Sequence, residues 1–582
     1  MPLRTHLRPT TVLLVLGLAA CGAPAPQTSS RPQLFAAEGG VQPLPTLTQL
    51  EAGSTAGDFL AGNFALEHGE IDEAAQFFGR AVAIDDDPEL RQRAFLLRLA
   101  ANQTEAALAD AERLADVGTP SEEADLLLGL RDARAGSFGS AATRFDALPP
   151  DGLGGLVRPF LSAWAEYGRD DPAAARDTLA SVDDSFGALR TYHLAMIDAL
   201  EDDPEAAETK LGEVVAEPAT TPPRMVRALA AVLTAQGERD AAADLLRAAM
   251  ENGSDPELEA ALAELEAGRA PQLPVDGPTT GMADSLLAMA EALERQRAGL
   301  QALFYARLAG YVSPGFPEAA LIAAEIFASQ ANYDLAIAAY DEVPAASPLS
   351  WQARLGAAQA VYASGQTEAA KARFQAMADE RPERTEALIT LGDLLRRDEL
   401  YAEAEPAYTE AIVRIGTLES QHWPLLYSRG IAYERTQRWD QAEEDFLQAL
   451  ELEPEQPLVL NYLGYSWIDR GEELERAEGM IKRAVEQRPN DGFIVDSLGW
   501  IYFLLGRYDE AVAQLERAIE LEPGDPVIND HLGDAYWRVG REREARFQWR
   551  RALSLDPDED LEVGIEAKLT RGLPDDERST RG

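Results

Sequence analysis

Along most of the chain, apolar residues recur at three- and four-residue spacing with polar residues between them. This is the period of an amphipathic helix. In the C-terminal half the helical blocks come in pairs, and the pairs repeat. LNYLGYSWIDRGEELERAEGMIKRAVEQRPND from Leu460, VDSLGWIYFLLGRYDEAVAQLERAIELEPGD from Val495 and NDHLGDAYWRVGREREARFQWRRALSLDPDE from Asn529 return the same residue types about every 34 positions. Gly430, Gly464, Gly499 and Gly533 hold one place, Ala442, Ala477, Ala511 and Ala545 a second, and Ala449, Ala484, Ala518 and Ala552 a third. Pro454, Pro489, Pro523 and Pro557 close the units. Upstream, Ala302, Ala336, Ala370 and Ala404 keep the 34-residue step, with Tyr340, Phe374 and Tyr408 four residues on. The step from Ala404 to Ala442 is 38, which places a four-residue insertion within Ile415 to Pro424.

Each unit therefore predicts two amphipathic helices joined by a short turn, often at a glycine such as Gly471, Gly506 or Gly540. The small residues let the two helices approach closely. Phe446, Ile481, Leu515 and Trp549 are expected to fill the gap to the next hairpin. Proline cannot continue a helix, so it ends each unit. No such hairpin can bury its apolar face alone, so the units must stack. The N-terminal half keeps the period with a looser signature: Gly62, Gly69, Ala74 and Phe78, then Gly129, Gly136, Ala141 and Phe145, then Gly237, Ala242 and Ala249. About six pairs precede residue 265 and about eight follow it. Between the halves, AGRAPQLPVDGPTTG (Ala267 to Gly281) is rich in Pro and Gly and reads as a linker or long loop. Two lobes with a joint, or one array with an inserted loop, both fit this pattern.

These signatures resemble the tetratricopeptide repeat. The resemblance implies an all-α superhelix of stacked helical hairpins, in which the first helix of each pair lines the concave face. Positions three before, one after and four after the repeat glycine would then be open to a partner. They are Asn461, Tyr465 and Ile468; Asp496, Trp500 and Phe503; and Asp530, Asp534 and Trp537, with Tyr427 preceding Gly430 in the same way. The result would be an aromatic groove with an acidic row, a surface suited to peptide or protein recognition.

The beginning of the chain follows another pattern. MPLRTHLRPTTVLLVLGLAAC carries Arg4 and Arg8, then a short apolar run, then small residues, the layout of a secretory signal. It ends at Leu18-Ala19-Ala20-Cys21, which resembles the lipobox of bacterial lipoproteins. The resemblance implies cleavage before Cys21 and acylation of its thiol. Cys21 is the only cysteine in 582 residues, so it has no internal disulfide partner. Gly22 follows it in place of the aspartate that goes with inner-membrane retention, which favours the outer membrane. The segments expected are a signal peptide at 1–20, an acylated cysteine and flexible tether at 21–43, and a degenerate repeat lobe at 44–266. They continue with the linker at 267–281, the repeat array with a capping helix at 282–573, and a tail at 574–582.

Charge narrows the partners. The net charge is −48, which argues against nucleic acid and against electrostatic docking on an anionic membrane. Contact with a membrane would run through the lipid alone. Candidate chemistry is sparse. The five histidines stand apart and read as isolated surface or groove residues, with no metal-ligand spacing. No phosphate loop or nucleophile elbow is present, so neither catalysis nor a cofactor or metal is expected. The arginines of RFQWRR (Arg546, Arg550, Arg551) are expected to make i,i+4 ion pairs on the convex side.

Anchor and repeats together resemble the outer-membrane tetratricopeptide-repeat lipoproteins. VDSLGW (Val495 to Trp500) and HLGDAYWRVGREREA resemble in particular the lipoprotein adaptors of periplasmic carboxy-terminal processing proteases. That resemblance implies a non-enzymatic scaffold on the periplasmic face of the outer membrane. It would bind and activate such a protease and recruit peptidoglycan hydrolases to it. The alternative is an assembly factor for a secretin, a polysaccharide exporter or an outer-membrane protein complex.

Overall fold

The computed structural model describes residues 54–150 and 152–574; Leu18 to Cys21, the tether and the tail lie outside them. The described residues form 30 α-helices and no strand. Six hairpins come first. They are α1 (Thr55–Glu67) with α2 (Ile71–Ile84), α3 (Pro88–Ala100) with α4 (Thr104–Asp116), and α5 (Glu122–Arg134) with α6 (Phe138–Asp146). Next are α7 (Leu153–Tyr167) with α8 (Pro172–Ala180), α9 (Gly187–Leu200) with α10 (Pro204–Val214), and α11 (Pro223–Ala235) with α12 (Arg239–Ala249). A single helix, α13 (Pro256–Glu266), follows.

Eight more hairpins complete the array. The first four pair α14 (Pro278–Arg295) with α15 (Gly299–Val312), α16 (Pro317–Ser329) with α17 (Tyr333–Asp341), α18 (Ser350–Ala363) with α19 (Thr367–Glu380), and α20 (Glu386–Arg397) with α21 (Tyr401–Ile415). The last four pair α22 (Trp423–Arg435) with α23 (Trp439–Leu452), α24 (Pro457–Arg470) with α25 (Leu474–Gln487), α26 (Gly492–Leu504) with α27 (Tyr508–Leu521), and α28 (Pro526–Arg538) with α29 (Glu542–Leu553). A final helix, α30 (Glu559–Arg571), packs on α29.

Local chemistry sets the helix ends. Asp87, Asp171, Asp203, Asp255, Asp491, Asp525 and Asp558 each accept a hydrogen bond from an amide of the following first turn. Such caps satisfy donors that the helix itself cannot. Every hairpin turns through the left-handed region, with one residue there in thirteen turns and two, Gly471 and Glu473, between α24 and α25. Gly471, Gly506 and Gly540 do so as the sequence suggests, but Asn102, Ala331, Glu399 and Gln437 do it without glycine. Such turns occur in both halves, so glycine alone does not mark the turn of a hairpin.

The repeat glycines serve a different need. A Cβ on Gly430 would lie 2.6 Å from the Phe446 ring, and one on Gly533 would lie 2.5 Å from the Trp549 ring. The large side chain at the plus-four position thus fills the inside of its own hairpin against the repeat glycine, rather than the gap to the next hairpin. Ala511 on α27 is fully buried against this packing. Ala511→Leu is expected to cost about 1–3 kcal/mol by overpacking, read as a fall in the urea midpoint. An unchanged midpoint would mean that this seam tolerates a larger residue.

The two halves meet through a long-range contact that no local pattern announces. Pro278 to Gly281, expected in the linker, form the first turn of α14, with Pro278 at a position where proline costs no hydrogen bond. α14 lies against α7, and α15 lies against α3 and α5. This hairpin is therefore seated on the first helices of the N-terminal array. From Ser54 onward the chain is one compact unit.

Candidate functional site

The N-terminal concave face is filled by the chain itself. Gly281 of α14 sits on the Trp164 ring of α7, where a Cβ would come within 2.2 Å of the indole. Arg307 of α15 is buried, donates to the Ala100 carbonyl of α3 at 3.3 Å, and pairs with Glu342 at 3.1 Å. Arg134 of α5 donates to the Tyr311 carbonyl at 3.3 Å.

A polar cluster lies inside this seat. Trp164 Nε1 donates to His193 Nδ1 at 3.3 Å, so the ring proton is on Nε2, which faces Ser285 Oγ at 3.2 Å and Asp284 at 3.6 Å. His193 is fully buried, contrary to the expectation of isolated surface or groove histidines. Burial, with Arg224 nearby, pushes its pKa down to about 3, so it is neutral. Arg224 of α11 reaches Glu291 at 2.5 Å and Asp284 at 3.5 Å. Arg227 pairs with Glu257 of α13, whose other neighbour is Glu318 of α16. Burial raises all three inner carboxyls: Asp284 to about 6, Glu257 to about 7, and Glu318 as well. Four acids thus face two arginines where six helices meet. Tyr192 Oη, Arg224 Nε, Asp284 Oδ2 and Glu318 Oε2 have no hydrogen-bond partner there.

The C-terminal array is open in its middle. Asn461, Tyr465 and Asp496 line a cavity of about 780 Å³ together with Arg435, Trp439, Tyr462, Arg470, Phe493, Val527 and His531. Phe493 and Val527 are large apolar side chains left 55 % and 40 % exposed at this edge. Asn461 Oδ1 is buried without a partner. Ile468 is buried in the core. Tyr427 packs among Trp423, Phe446 and Tyr462 and does not line the cavity. Trp500 stacks on Phe503 at 4.8 Å and on His531 at 3.9 Å, while His531 Nδ1 lies 3.0 Å from both oxygens of Asp496. Burial opposes the charge on His531, but Asp496, Asp530 and Asp534 outweigh it and raise its pKa.

Besides Ile468, three more expected groove residues are not open. Asp530 and Asp534 are buried and bind Lys568 of α30 at 2.7 and 2.8 Å, and Gly572 lies on Trp537. α30 covers them because its apolar stripe must be buried and α28 is the exposed end of the stack. The arginine cluster also differs from expectation. Arg546 donates to the Leu569 carbonyl and lies over Trp537, and Arg550 and Arg551 form no ion pair among the described residues. No acid stands three or four residues from either. Sequence reasoning missed Arg435, Arg470, Phe493 and Val527. Phe493 and Val527 share one register, six before the repeat glycine, and that register was the available signal.

Among the described residues no group of three His, Cys, Asp or Glu side chains could hold a metal ion, and no helix is long and apolar enough to cross a membrane. Residues 355–417, 423–456 and 499–540 match models described as tetratricopeptide repeats. An 87-residue stretch is 34% identical to the TPR repeat-containing protein PA4667 of Pseudomonas aeruginosa, covering 15% of this chain and 15% of that protein. A tetratricopeptide repeat protein from Parabacteroides merdae is 17% identical over 42% of this chain and 94% of its own, with a TM-score of 0.34. The APC/C hetero-tetramer Cut9–Hcn1 is 15% identical over 91% of this chain and 98% of its own, with a TM-score of 0.36. The three matched segments are tetratricopeptide repeats, and such repeats imply a protein-binding scaffold.

Proposed function

We propose that the chain is a non-enzymatic scaffold that binds a protein partner in the groove between α22 and α28, while an acylated Cys21 holds it on the periplasmic face of the outer membrane. The partner of first choice is a periplasmic processing protease, which the scaffold activates and supplies with peptidoglycan hydrolases. The observation that carries the binding reading is the contrast between the two concave faces. The N-terminal one is filled by α14 and α15, whereas the C-terminal one keeps a cavity of about 780 Å³ with Phe493 and Val527 exposed at its edge. Aromatic anchors of this kind carry most of the energy of an interface.

The test is a crosslinked capture of the lipidated protein from its own envelope, read by mass spectrometry. A serine processing protease together with peptidoglycan hydrolases is the expected result. Secretin, exporter or barrel-assembly components in their place would overturn the protease reading. Phe493→Ala is expected to lower capture more than about tenfold without changing the melting temperature. Cys21→Ser is expected to release the protein from membranes, since each buried acyl CH₂ contributes roughly 0.8 kcal/mol to anchoring. Retention of that variant after a high-salt wash would overturn the anchor.

A further inference from the structure

The C-terminal groove does not end at α28; it is closed there by α30. Asp530 and Asp534 hold the positions from which Asn461, Asp496 and Tyr465 line the cavity in the preceding repeats, with Trp537 beside them, and the closing helix meets them with one buried ammonium. Lys568 Nζ lies 2.7 Å from Asp530 Oδ2 and 2.8 Å from Asp534 Oδ2. The second oxygen of Asp530 is buried without a hydrogen-bond partner, although the residue is only 5 % exposed. The acidic pocket is therefore not satisfied by its present occupant. That occupant buries little apolar surface: of its 13 residues only Ile565 is fully buried, Leu561 and Leu569 are half-buried, and Val563 on the opposite face is 62 % exposed. A helix with little buried area opens ahead of the core beneath it.

Resting on the reading of this face as a docking groove, we infer that α30 stands in for a partner: the pocket of Asp530, Asp534 and Trp537 receives a lysine or arginine on an apolar helix of the bound protein, which displaces α30. The chemistry of the placeholder defines the chemistry of the guest. Leu561, Ile565, Lys568 and Leu569 place a cation beside an aliphatic stripe on one helical face. A net charge of −48 draws a basic segment toward the groove and repels an acidic one. Full opening would join this pocket to the cavity already lined by His531 and Asp496.

The probe is a labelled synthetic peptide of residues 556–574, added to the full chain and to the full chain carrying Ile565→Asp with Leu569→Asp, which unseats α30. The unseated chain is expected to bind the peptide at least about tenfold more tightly than the intact chain, and a peptide with Lys568→Gln at least about tenfold more weakly than the native peptide. No binding, or equal binding of both peptides, overturns the inference. Hydrogen exchange on the unaltered chain gives a second reading. The α30 amides are expected to exchange more than about tenfold faster than those of α28. Equal rates would make α30 a fixed cap and overturn the inference. The crosslinked capture reads the docking groove separately: partners captured there with no peptide binding here would overturn the role of α30 alone.

Discussion

Arg224→Ala is expected to lower the unfolding free energy by about 3–5 kcal/mol at pH 8, the usual loss when one partner of a buried ion pair is removed. Arg224 is 8 % exposed, and its guanidinium stands between Asp284 and Glu291 of α14. Without it, Asp284 would face Glu291 and Glu257 at the seat of the hairpin, and taking a lone carboxylate out of water is costly. The acid can escape by taking up a proton, and its pKa already lies at about 6. The cost is therefore expected to shrink at pH 5. Arg224→Met with Asp284→Asn removes both charges and is expected to cost less than Arg224→Ala alone. Urea unfolding at the two pH values checks all three statements. A loss below about 1 kcal/mol, or one independent of pH, would mean that the cluster does not hold the seat.

The same cluster fixes the sign of the pH dependence of the native chain. Burial raises Asp284 to about 6, Glu257 to about 7 and Asp534 to about 6, and it raises Glu318 as well. Unfolded carboxyls titrate near 4. Between about pH 4 and pH 7 the native state thus holds more protons than the unfolded one, and stability falls as pH rises. His193, held near 3, works the other way: below about 6.5 the native state lacks the proton that the unfolded ring would carry. One histidine opposes four carboxyls, so the carboxyls decide. Above 6.5 His193 no longer counts, while the raised His531 still loses its contribution. Hydrogen bonds from Arg91 and Arg113 lower Asp86, and Lys482 and Arg507 lower Glu478; those contributions vanish as pH falls below about 4. The melting temperature is therefore expected to peak near pH 4 and to be lower at pH 8. The difference is on the order of a few kcal/mol, since each tenfold change in proton affinity is worth about 1.4 kcal/mol. A calorimetric scan at constant ionic strength checks this, and a maximum above pH 7 would contradict it.

The C-terminal hairpins were legible because their code is local. A glycine, an alanine and a large residue at fixed spacing describe one hairpin packing on itself, as Gly533 and Trp549 do. The seat of α14 and α15 was not legible, because its partners lie far away in sequence. Gly281 looked like loop material beside Pro278, yet its missing side chain makes room for Trp164. Of the candidate groove, Asn461, Tyr465 and Asp496 were found from their place in the repeat. Asp530, Asp534 and Trp537 follow the same rule but lie under α30, because the rule assumes a neighbouring repeat and they have a closing helix instead.

The seat of α15 on α3 also has a consequence for how the chain must fold. The hydrogen bond from Arg307 to Ala100 spans 207 residues. A chain delivered from its N-terminus presents α3 before α15. During that interval the early hairpins stand as a curved stack whose inner wall has nothing to cover it. Their stability is then a sum of neighbour terms, as in an open solenoid. Arrival of α15 closes a ring of contacts, and residues 54–312 gain a single cooperative transition. The later repeats keep the freedom to fray one at a time. Folding of this chain therefore has a late, slow step in its first half, set by the high sequence separation of that contact and not by the quality of any single repeat.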